Sequence, residues 1–201
     1  MSAMAELSAG FSDKVSSAQS TFRCVMEAMA RPGSIQHVTA DVGPVRGLMR
    51  GAAAVALTLF DHDTPIWLDP HLAGAGIAGW LKFHTGAPLT LEASEASFAL
   101  VTDGASLPDL ESFALGSSEY PDRATTVILQ VDSLADGRAY ELRGPGIDGA
   151  TTLNATIAPG DLFARLAFNA KLFPRGIDVV LVHDDAIVAI PRTTRLAATG
   201  G

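Results

Sequence analysis

The chain has 201 residues, of which 48% are hydrophobic, so it can bury a substantial core and is expected to form one folded domain. A formal net charge of −8 argues against a broadly basic surface of the kind that neutralises nucleic-acid phosphates. The single cysteine, Cys24, excludes an internal disulfide and any CxxC-type metal or redox site.

Two features of the sequence bear on its location. The first residues, MSAMAELSAGFSDK, lack the basic stretch and apolar core of a secretory signal. The longest apolar run, residues 51–60, is far shorter than the roughly 20 residues that span a bilayer. We therefore expect a cytoplasmic protein with a flexible N-terminus over residues 1–12, one α/β domain over 13–195 and a flexible tail over 196–201.

The first half of the chain predicts three helices and one strand. Residues 13–30 form an amphipathic helix that ends at Pro32-Gly33, since its apolar residues recur at three- and four-residue steps: Val15, Ala18, Phe22, Val25, Met26 and Met29. Residues 46–60 predict a second helix, which is apolar nearly all round and therefore buried. A short strand over 65–69 and a helix over 74–84 follow.

Strands dominate the second half. They are predicted at 97–102, 125–131, 138–143 and 150–157, with a short helix around 108–115 between the first two. Another helix is expected to open at Pro159 and Asp161, and its apolar residues are Leu162, Phe163, Leu166 and Phe168. Residues 177–182 and 186–190 form an apolar hairpin of central strands. The predicted class is an α/β layered domain with a mixed β-sheet flanked by helices.

A glycine pattern lies between the two strands at 138–143 and 150–157. Gly144, Gly146 and Gly149 spell G-x-G-x-x-G, which is typical of dinucleotide-binding loops when a strand precedes it and a helix follows. The following residues, ATTLNATI, are rich in β-branched side chains and predict a second strand instead. A glycine-proline-glycine turn in a β-hairpin is therefore the favoured interpretation.

Two loops carry polar side chains that could do chemistry. Asp61, His62 and Asp63 could hold a divalent cation, as in a free-standing metal-binding enzyme, although Asp63-Thr64-Pro65 is also ordinary turn chemistry before a strand. His84, followed by Thr85 at a helix end, could act as a general base. The alternative is that His84 interacts with the last carbonyls and the dipole of that helix.

Arginines close to turns are the remaining candidates. Arg192, beside Thr193 and Thr194, could clamp a phosphate or carboxylate, or it could be a solvated strand end. Arg175 follows a proline in a turn, where solvation is expected. The chain contains no GxSxG, HExxH or Walker A motif. Cys24 lies in the first predicted helix, where a small buried hydrophobic role is usual.

Eight sequence blocks follow one another in order along the chain. The blocks are QxxFRxxMxAMxxPG from Gln19, LTLxDxDTPxWL at 57–68, FHTxAPL at 83–89, FAxVTD at 98–103, VILQVxSL at 127–134, GPGI at 144–147, FPxGID at 173–178 and AIPRTT at 189–194. They run over nearly the full chain, and their order and spacing resemble those of the PhnH family, a component of the bacterial carbon–phosphorus lyase system for phosphonate use.

The resemblance implies a fold similar to the pyridoxal-phosphate-dependent transferases, without their cofactor site and with no other cofactor. It also implies a non-redox subunit that forms a homodimer alone and joins the G, I and J subunits; the L subunit is a further candidate partner. That complex replaces the adenine of ATP with an alkylphosphonate to give a ribose 1-alkylphosphonate 5-triphosphate. No nucleic-acid or membrane partner is expected.

The resemblance assigns no catalytic residue and no metal to members of the PhnH family. The leading interpretation is a structural, assembly role; the alternative is a contribution of nucleotide- or phosphonate-binding residues to a shared active site. The candidate substrate or interface residues, where polar groups coincide with family-like blocks, are Asp63, Thr64, His84, Thr85, Arg143, Gly144, Gly146, Arg192 and Thr193.

Overall fold

The computed structural model describes residues 10–74, 76–157 and 162–198. Within these ranges the helices are α1 (Lys14–Ala30), α2 (Arg50–Leu59), α3 (Pro70–Ala73), α4 (Ile77–Thr85) and α5 (Leu162–Asn169). The strands are β1 (Gln36–His37), β2 (Ile66–Leu68), β3 (Phe98–Val101), β4 (Thr126–Gln130), β5 (Ser133–Arg143), β6 (Thr151–Thr156), β7 (Asp178–His183), β8 (Ala186–Ile190) and β9 (Arg195–Ala198).

The main sheet has six strands in the order β1-β8-β7-β4-β3-β2. Strands β2, β3, β4 and β7 are parallel to one another, whereas β8 is antiparallel to β7 and β1 is antiparallel to β8. The predicted mixed sheet is therefore confirmed. Strands β7 and β8 form the predicted hairpin, and all five residues of β8 are buried, as expected of a strand covered on both faces.

Side chains on the main sheet alternate between two separate cores, because successive residues of a strand point to opposite faces. Ile128 of β4 packs in one core with Ala28 of α1 and Leu81 of α4. Its neighbour Leu129 packs in the other core with Leu153 of β6 and with α5. Helices thus cover one face, whereas a smaller sheet together with α5 covers the other face, where only helices were expected.

The smaller sheet has three strands in the order β6-β5-β9. Strands β5 and β6 form an antiparallel hairpin, so the glycine pattern at 144–149 lies in a hairpin connection, as predicted. Strand β9 pairs with β5, and Leu196 stands opposite Leu142. Residues 196–198, expected to belong to a flexible tail, are therefore strand. At the other end, Phe11 forms an isolated bridge with Val42, which ties residue 11 to the domain.

Several predicted boundaries are corrected by the structure. Helix α2 begins at Arg50 rather than at residue 46, because the N–H of Leu48 donates to the carbonyl of Val45 in a preceding turn. The predicted helix around 108–115 is only a 3₁₀ turn, Leu110–Ser112, since Leu115 forms a bridge with Ala124 instead. The expected helix start at Pro159 and Asp161 lies outside the described residues.

Candidate functional site

An open groove of about 830 Å³ lies at the carboxyl ends of β4 and β7. Its polar lining is provided by Gln130 at the end of β4, Arg50 at the start of α2, and Asp184 and Asp185 after β7. Open α/β sheets bind ligands in crevices at the carboxyl ends of their strands, and volumes of roughly 300–1,000 Å³ are usual for such sites. This groove is therefore the candidate small-molecule site.

Gln130 forms the polar floor of the groove and is only 7% exposed. Its Oε1 accepts a hydrogen bond from the backbone N–H of Met49 at 2.6 Å, and its Nε2 donates to the carbonyl of Gly47 at 3.2 Å. These bonds hold the turn that leads into α2. A carboxamide carries two N–H donors, so Gln130 keeps one more for a ligand.

The rim of the groove combines a cation with two carboxylates. Nη1 of Arg50 lies 3.9 Å from Oδ2 of Asp185, whose Oδ1 lies 3.2 Å from Nδ1 of His37. Asp184 has a φ of 51°, and its carbonyl accepts the N–H of Gly51 at 2.7 Å. The Asp184 carboxylate is 83% exposed. The rim is thus a set of loosely paired, solvent-facing charges.

The predicted residues Asp63 and Thr64 lie away from the groove in a tight turn. The Thr64 hydroxyl donates to the carbonyl of Asp61 at 3.0 Å, and the Asp61 carboxylate accepts the N–H of Asp63 at 2.9 Å. His62 and Asp63 are both about four-fifths exposed. Among the residues that the structure describes, no three histidine, cysteine, aspartate or glutamate side chains are grouped to hold a metal. Turn chemistry accounts for these contacts.

His84 and Thr85 lie at the end of α4 and also do not line the groove. The His84 ring packs against Trp80 and Phe83, with ring centroids 5.2 and 5.0 Å apart. The Thr85 hydroxyl donates to the carbonyl of Leu81 at 2.8 Å and accepts the N–H of Ala87 at 3.1 Å. Thr85 therefore helps to end the helix, beside the left-handed Gly86.

The five other predicted residues, Arg143, Gly144, Gly146, Arg192 and Thr193, lie in one region. We call it the motif corner and define it as residues 30–33, 143–146 and 192–194. Gly146 has a φ of 82°, and a Cβ there would collide with the carbonyl oxygen of Ala30. A Cβ at Gly144 would make a tight contact of 3.0 Å with the carbonyl oxygen of Thr193. Backbone segments touch here, and only glycine fits at residue 146.

The arginines of the motif corner are paired with other residues of the chain. Arg192 is 13% exposed, and its backbone N–H, Nε and Nη2 all donate to the Asp178 carboxylate. Its Nη1 donates to the carbonyl of Pro121 at 2.6 Å. Nε of Arg143 donates to Glu141 at 2.7 Å, and this bond raises the pKa of Arg143. These contacts favour a structural role over an anion clamp at Arg192.

The groove residues were missed because they come from three distant segments of the sequence. Their only local signal was Gln130, a polar residue within the otherwise apolar run VILQV. The sequence indicates a hairpin turn at Asp184 and Asp185, and the structure places both residues in the turn between β7 and β8. Cys24 packs at the edge of a core, and burial raises the pKa of its thiol, which disfavours a reactive thiolate.

Helix α1 presents a second candidate surface, which we call the exposed stripe: Val15, Ala18, Phe22 and Met26. Val15, Phe22 and Met26 are 69%, 50% and 53% exposed. The core-facing side of the helix instead buries Ser17 and Thr21 together with smaller apolar residues. A surface helix ordinarily turns its apolar stripe to the core, so this arrangement makes the exposed stripe a candidate contact surface.

Fold, groove and stripe together define an α/β protein with an open mixed sheet, a ligand-sized groove at its strand ends and an apolar helix face toward solvent. The chain belongs to the family described as bacterial phosphonate metabolism protein (PhnH), whose family model matches residues 9–197. The family resemblance expected from the eight sequence blocks is confirmed. No helix within the described ranges has both the length and the apolar character needed to cross a membrane.

Two curated relatives cover most of the chain. One is the alpha-D-ribose 1-methylphosphonate 5-triphosphate synthase subunit PhnH of Rhizobium meliloti (strain 1021), which is 43% identical over 198 residues, or 98% of each chain. The other is a protein of Stutzerimonas stutzeri provisionally named C-P lyase subunit protein HtxG. It is 29% identical over 184 residues, which are 90% of this chain and 87% of that protein.

Proposed function

We propose that this chain acts in phosphonate metabolism as a non-redox subunit of a carbon–phosphorus lyase complex. Support comes from the full-length similarity to a synthase subunit and from the second relative, which is also named as a lyase subunit. The step concerned forms a ribose 1-alkylphosphonate 5-triphosphate from ATP and an alkylphosphonate. The chain is proposed to work in the cytoplasm and to need no cofactor.

The proposed role is assembly, and the exposed stripe on α1 is the observation that carries it. Scattered apolar side chains are normal on a protein surface. Phe22 and Met26 differ because they lie on one helix face, while Thr21 of the same helix is buried. Apolar and aromatic residues at the centre of a patch are typical of protein–protein interfaces. The proposed partners are a second copy when the chain is alone and the G, I and J subunits in the complex, with the L subunit as a further candidate.

The proposal includes a fold related to the pyridoxal-phosphate-dependent transferases that has lost the cofactor site. A Schiff base would need a lysine at the carboxyl ends of the strands. The chain has three lysines, Lys14, Lys82 and Lys171. They lie on α1, on α4 and after α5, and none of them is among the described residues that line the groove.

Co-expression tests the assembly role. The tagged chain is co-expressed with the G, I and J subunits of the same organism and purified by affinity capture. The mass of the captured material is then determined by native mass spectrometry. We expect a stoichiometric complex. A Phe22→Lys variant should lower the recovery of partner subunits at least about tenfold, because it places a charge in a contact that excludes water.

Leu91→Lys is the matched control, since Leu91 is 94% exposed and lies outside the stripe. It should recover partners as the unchanged chain does. Recovery of the unchanged chain without any partner would contradict the assembly role. An intact complex with Phe22→Lys would show that the chain is a subunit but that its partners bind a surface other than the exposed stripe.

A further inference from the structure

We propose that the groove at the ends of β4 and β7 binds a phosphorylated pentose, either free or as part of a nucleotide. The site is inferred from the structure, whereas the ligand class rests on the proposed function, because the 43% identical relative is named for a ribose 5-triphosphate product. None of the residues predicted from the sequence lines this groove.

Hydrogen-bonding capacity in the groove suits a sugar. Gln130 offers its second N–H from a buried position, where an unpaired donor gains most from a ligand acceptor. The carboxylate of Asp184 lies 3.8 Å from Nε2 of His183 and faces solvent. Carboxylates at the ends of α/β strands commonly accept hydrogen bonds from ribose hydroxyls. Gln130 and Asp184 therefore supply one donor and one acceptor to the lining of the same groove.

The cation at the rim suits a phosphate. Arg50 is 60% exposed and lies 3.9 Å from Asp185, so its guanidinium can turn to an incoming anion without breaking a close ion pair. Arg192, in contrast, is held by Asp178 and is only 13% exposed. The N–H of Gly51 at the start of α2 is already bonded to Asp184, so the phosphate contact is assigned to the Arg50 side chain.

The apolar residues Pro44, Leu48 and Met49 also line the groove. An apolar lining favours an aromatic base, whereas a free sugar phosphate gains little from it. ATP and ribose 5-phosphate therefore distinguish the two sources of the same chemistry. Tighter binding of ATP would identify the ligand as a nucleotide, and equal binding would identify it as a sugar phosphate.

Isothermal titration calorimetry on the purified full-length chain tests the inference, with ATP, ribose 5-phosphate and adenosine as probes. We expect saturable binding of ATP or ribose 5-phosphate at one site per chain. Arg50→Gln should weaken that binding about tenfold or more, as expected for the loss of a hydrogen bond between charged groups. The same substitution should leave adenosine binding unchanged, because adenosine has no phosphate.

Arg175→Gln is the matched control, since Arg175 is an exposed arginine that does not line the groove. Asp184→Asn tests the sugar contact and keeps the local fold, because asparagine tolerates positive φ. It should weaken adenosine binding severalfold. Unfolding midpoints equal to that of the unchanged chain show that each variant is folded.

Two results would overturn the inference. One is the failure of the folded, unchanged chain to bind either phosphorylated probe; the other is binding that Arg50→Gln leaves as tight as before. Neither result touches the assembly role, because the titration contains no partner subunit. If the co-expressed complex forms while the titration fails, the groove inference falls and the proposed function stands.

Discussion

The motif corner and the groove are contrasting polar regions of the same domain. In the motif corner, the backbone at Gly146 touches Ala30, and the side-chain nitrogens of Arg192 donate to Asp178 and to the carbonyl of Pro121. In the groove, Gln130 has a spare donor and Arg50 is loosely paired. Sequence motifs converge on the first region and do not point to the second. Glycine and arginine motifs can thus reflect packing within the chain, whereas polar groups that are only partly paired remain available to bind a ligand.

The ion pair of the motif corner should have the largest effect on stability. Asp178→Ala leaves the guanidinium of Arg192 buried without its partner, which should lower the free energy of unfolding by about 3–5 kcal/mol. Urea denaturation followed by circular dichroism measures this change. Glu141→Ala, which removes the partner of the exposed Arg143, should cost far less, because solvent screens an exposed ion pair. Equal losses in the two variants would show that burial does not set the strength of these pairs.

The glycine contact of the motif corner should come next. Gly146→Ala adds a Cβ against the Ala30 carbonyl at a positive φ, and we expect a loss of roughly 2–5 kcal/mol in unfolding free energy. Gly149→Ala is the control, because Gly149 also has a positive φ but no atom within 4 Å of the added Cβ. Its cost should be about 1–2 kcal/mol from the backbone alone. Equal losses of unfolding free energy in Gly146→Ala and Gly149→Ala would mean that the motif corner shifts to accommodate the added Cβ.

Gln130, in the floor of the groove, should show the smallest effect. Gln130→Leu removes the acceptor of the Met49 N–H and should cost about 1–3 kcal/mol, because that donor loses its partner. Thermal and urea unfolding measure the loss. If Gln130→Leu is as stable as the unchanged chain, the turn before α2 is held by other contacts. The polar groups of the groove would then contribute less to stability than those of the motif corner.

Most of the elements could be predicted because their signals are local. Helix α1 begins after Asp13, whose carboxylate accepts the N–H groups of Val15 and Ser16, and ends at Ala30, close to the predicted limits. Strands β4, β7 and β8 follow from apolar runs. The turn at Gly144 follows from the residues on either side of it, which form strands rather than a strand and a helix.

Other features depend on contacts between distant residues and left no such signal. Strand β9 exists because Leu196 pairs with Leu142, which lies far earlier in the sequence. The orientation of α1 depends on what packs beneath it, so periodicity alone could not show that Phe22 faces solvent. The groove is assembled from α2, β4 and β7, and only Gln130 stood out within its own segment.

The strand order of the main sheet has a consequence for how the chain folds. Strand β4 pairs with β3 on one side and with β7 on the other, and the hairpin β5–β6 and helix α5 lie between β4 and β7 in the sequence. Until β7 is synthesised, the second edge of β4 has no strand beside it. Such non-local pairing slows folding and leaves an open edge on which other chains can aggregate. Protection of that edge in the nascent chain is therefore a requirement set by the topology.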